Sequence, residues 1–130
     1  MRLLILLAVL ALGLAACGGS GTSKNTVKIT LGITGGNIAP FKVVIAPGGE
    51  VRYTGTPPFT PATLRPAQDA RLSKLALRVF PALKAVLCPR TNPDVASGFI
   101  TVGSKTVTVH GNCDPAFTRL WTALNAALAG

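Results

Sequence analysis

Eight consecutive residues, Val27-Lys28-Ile29-Thr30-Leu31-Gly32-Ile33-Thr34, alternate between apolar and non-apolar without an error, and nothing else in the chain limits the fold as much. Period two sends successive side chains to opposite faces of an extended backbone, so the segment is a strand with one buried face. Its partners follow at once. Gly35-Gly36-Asn37, residue types that tolerate the positive φ of tight connections, leads to Phe41-Lys42-Val43-Val44-Ile45, and Pro47-Gly48-Gly49 leads on to Val51-Arg52-Tyr53-Thr54. Three strands joined by short turns predict an antiparallel meander.

Residues 55–66 carry Pro57, Pro58, Pro61 and Pro66, which lack the donor that a ladder or a helix interior needs, so this stretch reads as a stiff loop. Beyond it Leu72, Leu75, Ala76, Val79, Leu83, Val86 and Leu87 recur at steps of three and four, the stripe of an amphipathic helix. Arg71, Lys74, Arg78 and Lys84 fall mostly on the other face, Asp69 is read as a helix-surface residue, and Pro81 should kink or split the helix near Phe80. A second proline-punctuated loop, from Cys88 to Asp94, precedes Phe99-Ile100-Thr101-Val102 and Thr106-Val107-Thr108-Val109-His110. Gly103-Ser104-Lys105 between them makes a tight hairpin. Asp114-Pro115 has the form of a helix start, cap then first-turn proline, and Phe117, Leu120, Trp121, Leu124 and Leu128 share the face behind it. Phe117 and Trp121 are expected in the core. The order βββαββα predicts an α+β class, a small antiparallel sheet with two helices packed on one face. Residues 26–130 have the length of a single domain, and no repeat divides them.

The N-terminus has a different character. Arg2 precedes an uninterrupted apolar run over residues 3–12 and then small residues, the order of an export signal, and the run is shorter than the roughly 20 residues a spanning helix needs. Leu14-Ala15-Ala16-Cys17 resembles the lipobox of bacterial lipoproteins, which implies cleavage before Cys17 and acyl chains, palmitate among them, on that cysteine. The competing reading is an ordinary secreted protein cleaved after Ala-x-Ala. The resemblance divides the chain into a signal peptide (1–16), a glycine- and serine-rich tether (17–25) and the domain. It implies a protein anchored by lipid on the extracytoplasmic side of the cell membrane, because two or three acyl chains suffice to hold a small protein there.

Once Cys17 is acylated, two thiols remain, Cys88 and Cys113, and an even pair in an oxidising space is expected to form a disulfide. The alternative is a metal site using His110, three residues before Cys113, together with Cys88. Three scattered ligands without paired spacing do not make a zinc pattern, so no metal or other cofactor is expected.

Acid–base chemistry would have to draw on His110, Glu50, Asp69, Asp94 and Asp114. Ser97 or Ser104 could be set beside His110 in a hydrolase-like trio. Nothing marks a nucleophile turn or an oxyanion hole, and no glycine-rich phosphate loop precedes a helix, so the chain is not read as an enzyme. Lysine and arginine number 13 against 4 carboxylates, but they are scattered. That balance draws a membrane-tethered protein toward anionic lipid or wall polymer. Nucleic-acid binding needs an exposed aromatic platform and an accessible compartment, and is not expected.

The last hundred or so residues also resemble emfourin-type inhibitors of thermolysin-like metalloproteases. The resemblance rests on Gly35-Gly36 after the first strand, the leucine-rich helix, the hairpin of residues 99–109, and Pro115-x-Phe117-x-x-Leu120. It implies a protease inhibitor, and no site residue is carried over from that family. Two functions of different kind are therefore expected. One is a non-catalytic envelope-binding module presenting residues 35–40 and 55–66 to a polymer or protein; the other is an inhibitor placing a proline-stiffened loop in a protease cleft.

Overall fold

The alternating segment forms β1 (Ile29–Thr34), paired on both sides within the sheet. The structure, a computed structural model, describes residues 26–130; the signal and spacer segments, and with them Cys17, lie outside the described residues. After β1 come β2 (Phe41–Ile45), β3 (Val51–Gly55), α1 (Pro66–Val79), β4 (Val86–Leu87), β5 (Ser97–Val102), β6 (Lys105–His110) and α2 (Pro115–Leu128). The sheet runs β3-β2-β1-β5-β6-β4. Its first three strands are the expected meander. Its β5–β6 hairpin turns on Gly103 at φ +62, with Val102 opposite Lys105.

The chain is α+β, with one departure from the expected order. Six strands are present, and the sheet is mixed, because β4 pairs parallel with β6, Val86 facing Val109 and Leu87 facing His110. Val86 and Leu87 continue the spacing of the helix stripe but lie in this strand. Pro81, which has no N–H and whose ring crowds the preceding turn, ends α1 at Val79 and leaves a single 3₁₀ turn over Phe80–Ala82. The released chain then lies along β6.

One face of the sheet carries Ile29, Leu31, Val43, Ile45, Ile100, Val102, Val107 and Val109. All are buried in one cluster with Leu72 and Ala76 of α1 and Phe117, Leu120, Leu124 and Leu128 of α2. Both helices thus cover the same face. α2 starts where the sequence places it: the Asp114 carboxylate accepts the Phe117 N–H at 2.9 Å. The opposite face carries Thr54, Lys42, Gly32, Phe99 and Thr108 in one row across five strands. There a Cβ on Gly32 would fall 2.8 Å from the Phe99 ring, so Phe99 lies over Gly32 and helps close β1 from this side as well. Among the described residues no helix is long and apolar enough to cross a membrane.

Asp69 contradicts the surface assignment. It is fully buried, and its Oδ2 accepts the Gly48 N–H at 2.8 Å, which fastens α1 to the β2–β3 turn. Its neighbour Ser73 is also fully buried and accepts the Val27 N–H at 3.1 Å. Asp69→Ala should lower stability by about 1–3 kcal/mol, since it strips a partly buried donor of its acceptor. Asp69→Asn, which keeps an acceptor, should cost less. Urea unfolding followed by circular dichroism checks this, and equal midpoints for the parent and Asp69→Ala would show that the contact holds nothing.

Candidate functional site

The antiparallel register gathers the longer connections at one end of the sheet. Thr34, Gly55, Ser97 and His110 all lie at that end of their strands, so residues 35–40, 56–60, 88–96 and 111–114 emerge together. The chain enters β1 at the opposite end, and six residues at roughly 3.3 Å each separate the two ends by about 20 Å.

Three sets of contacts knit the loop end. Cys88 and Cys113 are brought to disulfide distance, with Cα atoms 5.6 Å apart, which joins the end of β4 to the start of α2. The Cys88 N–H donates to the His110 carbonyl at 2.8 Å, and the Thr91 hydroxyl donates to the Cys88 carbonyl at 2.8 Å. Gly111, at φ +103, lets this approach happen, because a Cβ there would fall 2.3 Å from Thr91 Oγ1 and 2.6 Å from Cys88 Cβ. Farther along, the Asn37 N–H donates to the Asp94 carbonyl at 3.1 Å, docking the β1–β2 loop on residues 88–96.

Ser97 and His110, set together in the sequence as members of a trio, do meet. They face each other across β5 and β6, Ser97 Oγ lying 2.9 Å from His110 Nδ1 and His110 Nε2 lying 3.2 Å from the Asn92 carbonyl. A carbonyl accepts only, so Nε2 carries the hydrogen and Nδ1 accepts from the serine hydroxyl. Ser104 sits at the far turn. Asp94 donates its backbone N–H to Asn92 Oδ1, and the third group against the imidazole is a backbone carbonyl, where a triad would have a carboxylate to stabilise imidazolium. The pair ties Asn92, and with it residues 88–96, to the ends of β5 and β6. Glu50 is used by Arg52 at 2.9 Å, and Asp114 caps α2. Among the described residues no group of three His, Cys, Asp or Glu could hold a metal ion.

The same end exposes apolar surface. Ile38, Val95 and Leu87 are 59 %, 45 % and 74 % exposed, the first two on loops joined by the Asn37–Asp94 hydrogen bond and the third beside His110 on β4. On the helix side a cleft of about 300 Å³ opens between Ile33, Gly98, Val109, Phe117 and Trp121. Trp121, expected in the core, is only half-buried there. Its ring stacks on Phe117 with centroids 5.9 Å apart, and both rings lie against Gly98, where a Cβ would make ordinary contact at 3.4 and 3.7 Å. A shallower groove of about 700 Å³ follows α2 from Asn112 to Ala126.

The loop of residues 55–66 is exposed at most of its positions, but it is not free along its whole length. Its second half is tied down by Ala62 N–H to the Leu128 carbonyl and Leu64 N–H to the Gly49 carbonyl, each at 2.9 Å, and Leu64 is buried. The segment with Pro57, Pro58 and Phe59 remains at the loop end, lining a pocket with Tyr53. The exposed apolar residues were not legible as a site, since isoleucine, valine and leucine in loops look like ordinary core candidates. No protein-family model, curated protein or solved structure matches this chain.

Proposed function

We propose that the chain is a lipid-anchored cell-envelope protein whose domain binds an extracytoplasmic partner, without catalysis, through its loop end. The observation that carries this reading is the exposure of Ile38 and Val95 on loops, and of Leu87 at the end of β4, where hydrogen bonds, the Cys88–Cys113 pair and the Ser97–His110 clasp hold the backbone in place. Large apolar side chains on a preorganised surface lose little entropy on binding and gain from leaving water. The cleft over Phe117 and Trp121, about 300 Å³, has room for more than one apolar side chain of a partner. The anchor itself is proposed from Leu14-Ala15-Ala16-Cys17, with Cys17 acylated, the domain outside the cell membrane and no cofactor required.

The test uses the mature acylated protein in its native membranes. A cleavable crosslinker should capture one dominant partner, and Ile38→Glu with Val95→Glu should lower its yield about tenfold or more while leaving the far-ultraviolet spectrum unchanged. Equal capture by both forms would remove the loop end from the reading.

A second reading, inhibition of a thermolysin-like metalloprotease, is favoured by the proline-stiffened segment at residues 56–60, where Pro58 is exposed. Such stiffness lowers the ordering cost of inserting a loop into a cleft. Titration of the protein against such a protease with a peptide substrate decides it. Saturable inhibition near one to one would replace the binding-module reading, and full protease activity at micromolar protein would end the inhibitor reading.

A further inference from the structure

The end of the domain opposite the loops has its own character. Lys28 precedes β1, and its carbonyl accepts the Gly103 N–H of the β5–β6 turn at 3.0 Å, so Lys105 in the same hairpin lies nearby. Ser73 holds the entering chain through Val27, which brings the exposed Arg71 and Lys74 of α1 to this end too. Four exposed cations therefore surround the point where the chain enters the fold. Two carboxylates lie toward this end, Glu50, paired with Arg52 in what is among the described residues the one ion pair, and Asp69, buried behind the surface, so neither faces the four cations as an exposed partner.

We propose that this end, centred on Lys28, Arg71, Lys74 and Lys105, is a docking surface for anionic phospholipid headgroups, and that it holds the domain upright with its loops outward. The inference rests on the lipid-anchor reading. It commits to lipid because of reach. The nine residues 17–25 can span at most about 30 Å and join the fold at this end, so this is the end that the anchor brings to the headgroups. Within a Debye length of about 8 Å of an anionic surface charge attraction acts, and each basic residue there strengthens association about fivefold. The upright pose sets Ile38 and Val95 on the side away from the bilayer, where a partner can reach them.

The mature acylated protein, reconstituted into vesicles of phosphatidylcholine alone or mixed with phosphatidylglycerol, tests this by lysine acetylation read in mass spectra. Lys28 and Lys105 should react about fivefold or more slowly on the anionic vesicles, with Lys42, toward the far end of β2, unchanged, and salt should abolish the difference. Lys28→Glu with Lys105→Glu should return Lys74 to its rate on neutral vesicles. Equal rates on both vesicles, or equal slowing of Lys42, would overturn the docking while flotation of the protein with the vesicles still upheld the anchor. Failure to float with either vesicle would overturn both. Slowing on isolated wall polymer but on neither vesicle would overturn the lipid assignment.

Discussion

Replacing Cys88 and Cys113 together by serine should cost about 3 kcal/mol of stability, read as a lower urea midpoint for the oxidised parent's disulfide-free counterpart. The separation of 25 residues sets the size, because opening such a loop returns that much conformational entropy to the unfolded chain. The denatured state expands as well, so the slope of the unfolding line should rise. Hydrogen exchange should locate the native-state consequence. Residues 88–96 and the first turn of α2 should lose protection first, while β1, paired on both sides, keeps its own. A loss under about 1 kcal/mol would mean that the Cys88 N–H to His110 bond and the Thr91 contacts hold the loop end alone. Binding should fall with it, since Val95 stands on the loosened segment.

Much of the scaffold was legible because it is written locally. Alternation over residues 27–34 gave β1, Gly103 gave the hairpin, and Asp114-Pro115 gave the start of α2, each within a span of a few residues. β4 was not, since two residues carry no period, and Val86 and Leu87 continue the helix spacing until Pro81 is given priority. A parallel pairing with β6, more than 20 positions away in the chain, leaves no local mark. Asp69 was misplaced for a related reason. A carboxylate in the first turn of a helix reads as a solvated group, and its acceptor role toward Gly48 depends on how the β2–β3 turn packs.

The candidate site was legible in its chemistry and not in its assembly. The two cysteines could be paired from compartment alone, and Ser97 could be set beside His110 on paper. Which of these contacts builds a surface follows from register: a one-residue slip of β5 against β6 would send Ser97 and His110 to opposite faces. Exposure of Ile38 and Val95 is likewise a product of the docking of residues 35–40 on residues 88–96. The dipole of function proposed here, lipid at one end and partner at the other, has the same origin. It exists because β1 carries the chain from the tether end to the loop end in a single pass.

Leu120→Ala should cost about 3–4 kcal/mol, and it tests whether that pass is backed by a rigid core. Leu120 is fully buried at the middle of the stripe formed with Phe117, Leu124 and Leu128, in the cluster shared with Ile29, Leu31 and Ile100. Truncation removes its transfer energy and leaves a cavity that strands on one side and helices on the other are poorly placed to fill. Leu77→Ala on α1 is the control. That side chain is 51 % exposed, so its loss should stay within about 0.5 kcal/mol. Urea midpoints for the two variants decide the point. If Leu120→Ala cost no more than Leu77→Ala, α2 would not be seated on the sheet as described, and the cleft that Phe117 and Trp121 of the same helix form with Ile33 and Gly98 would not stand.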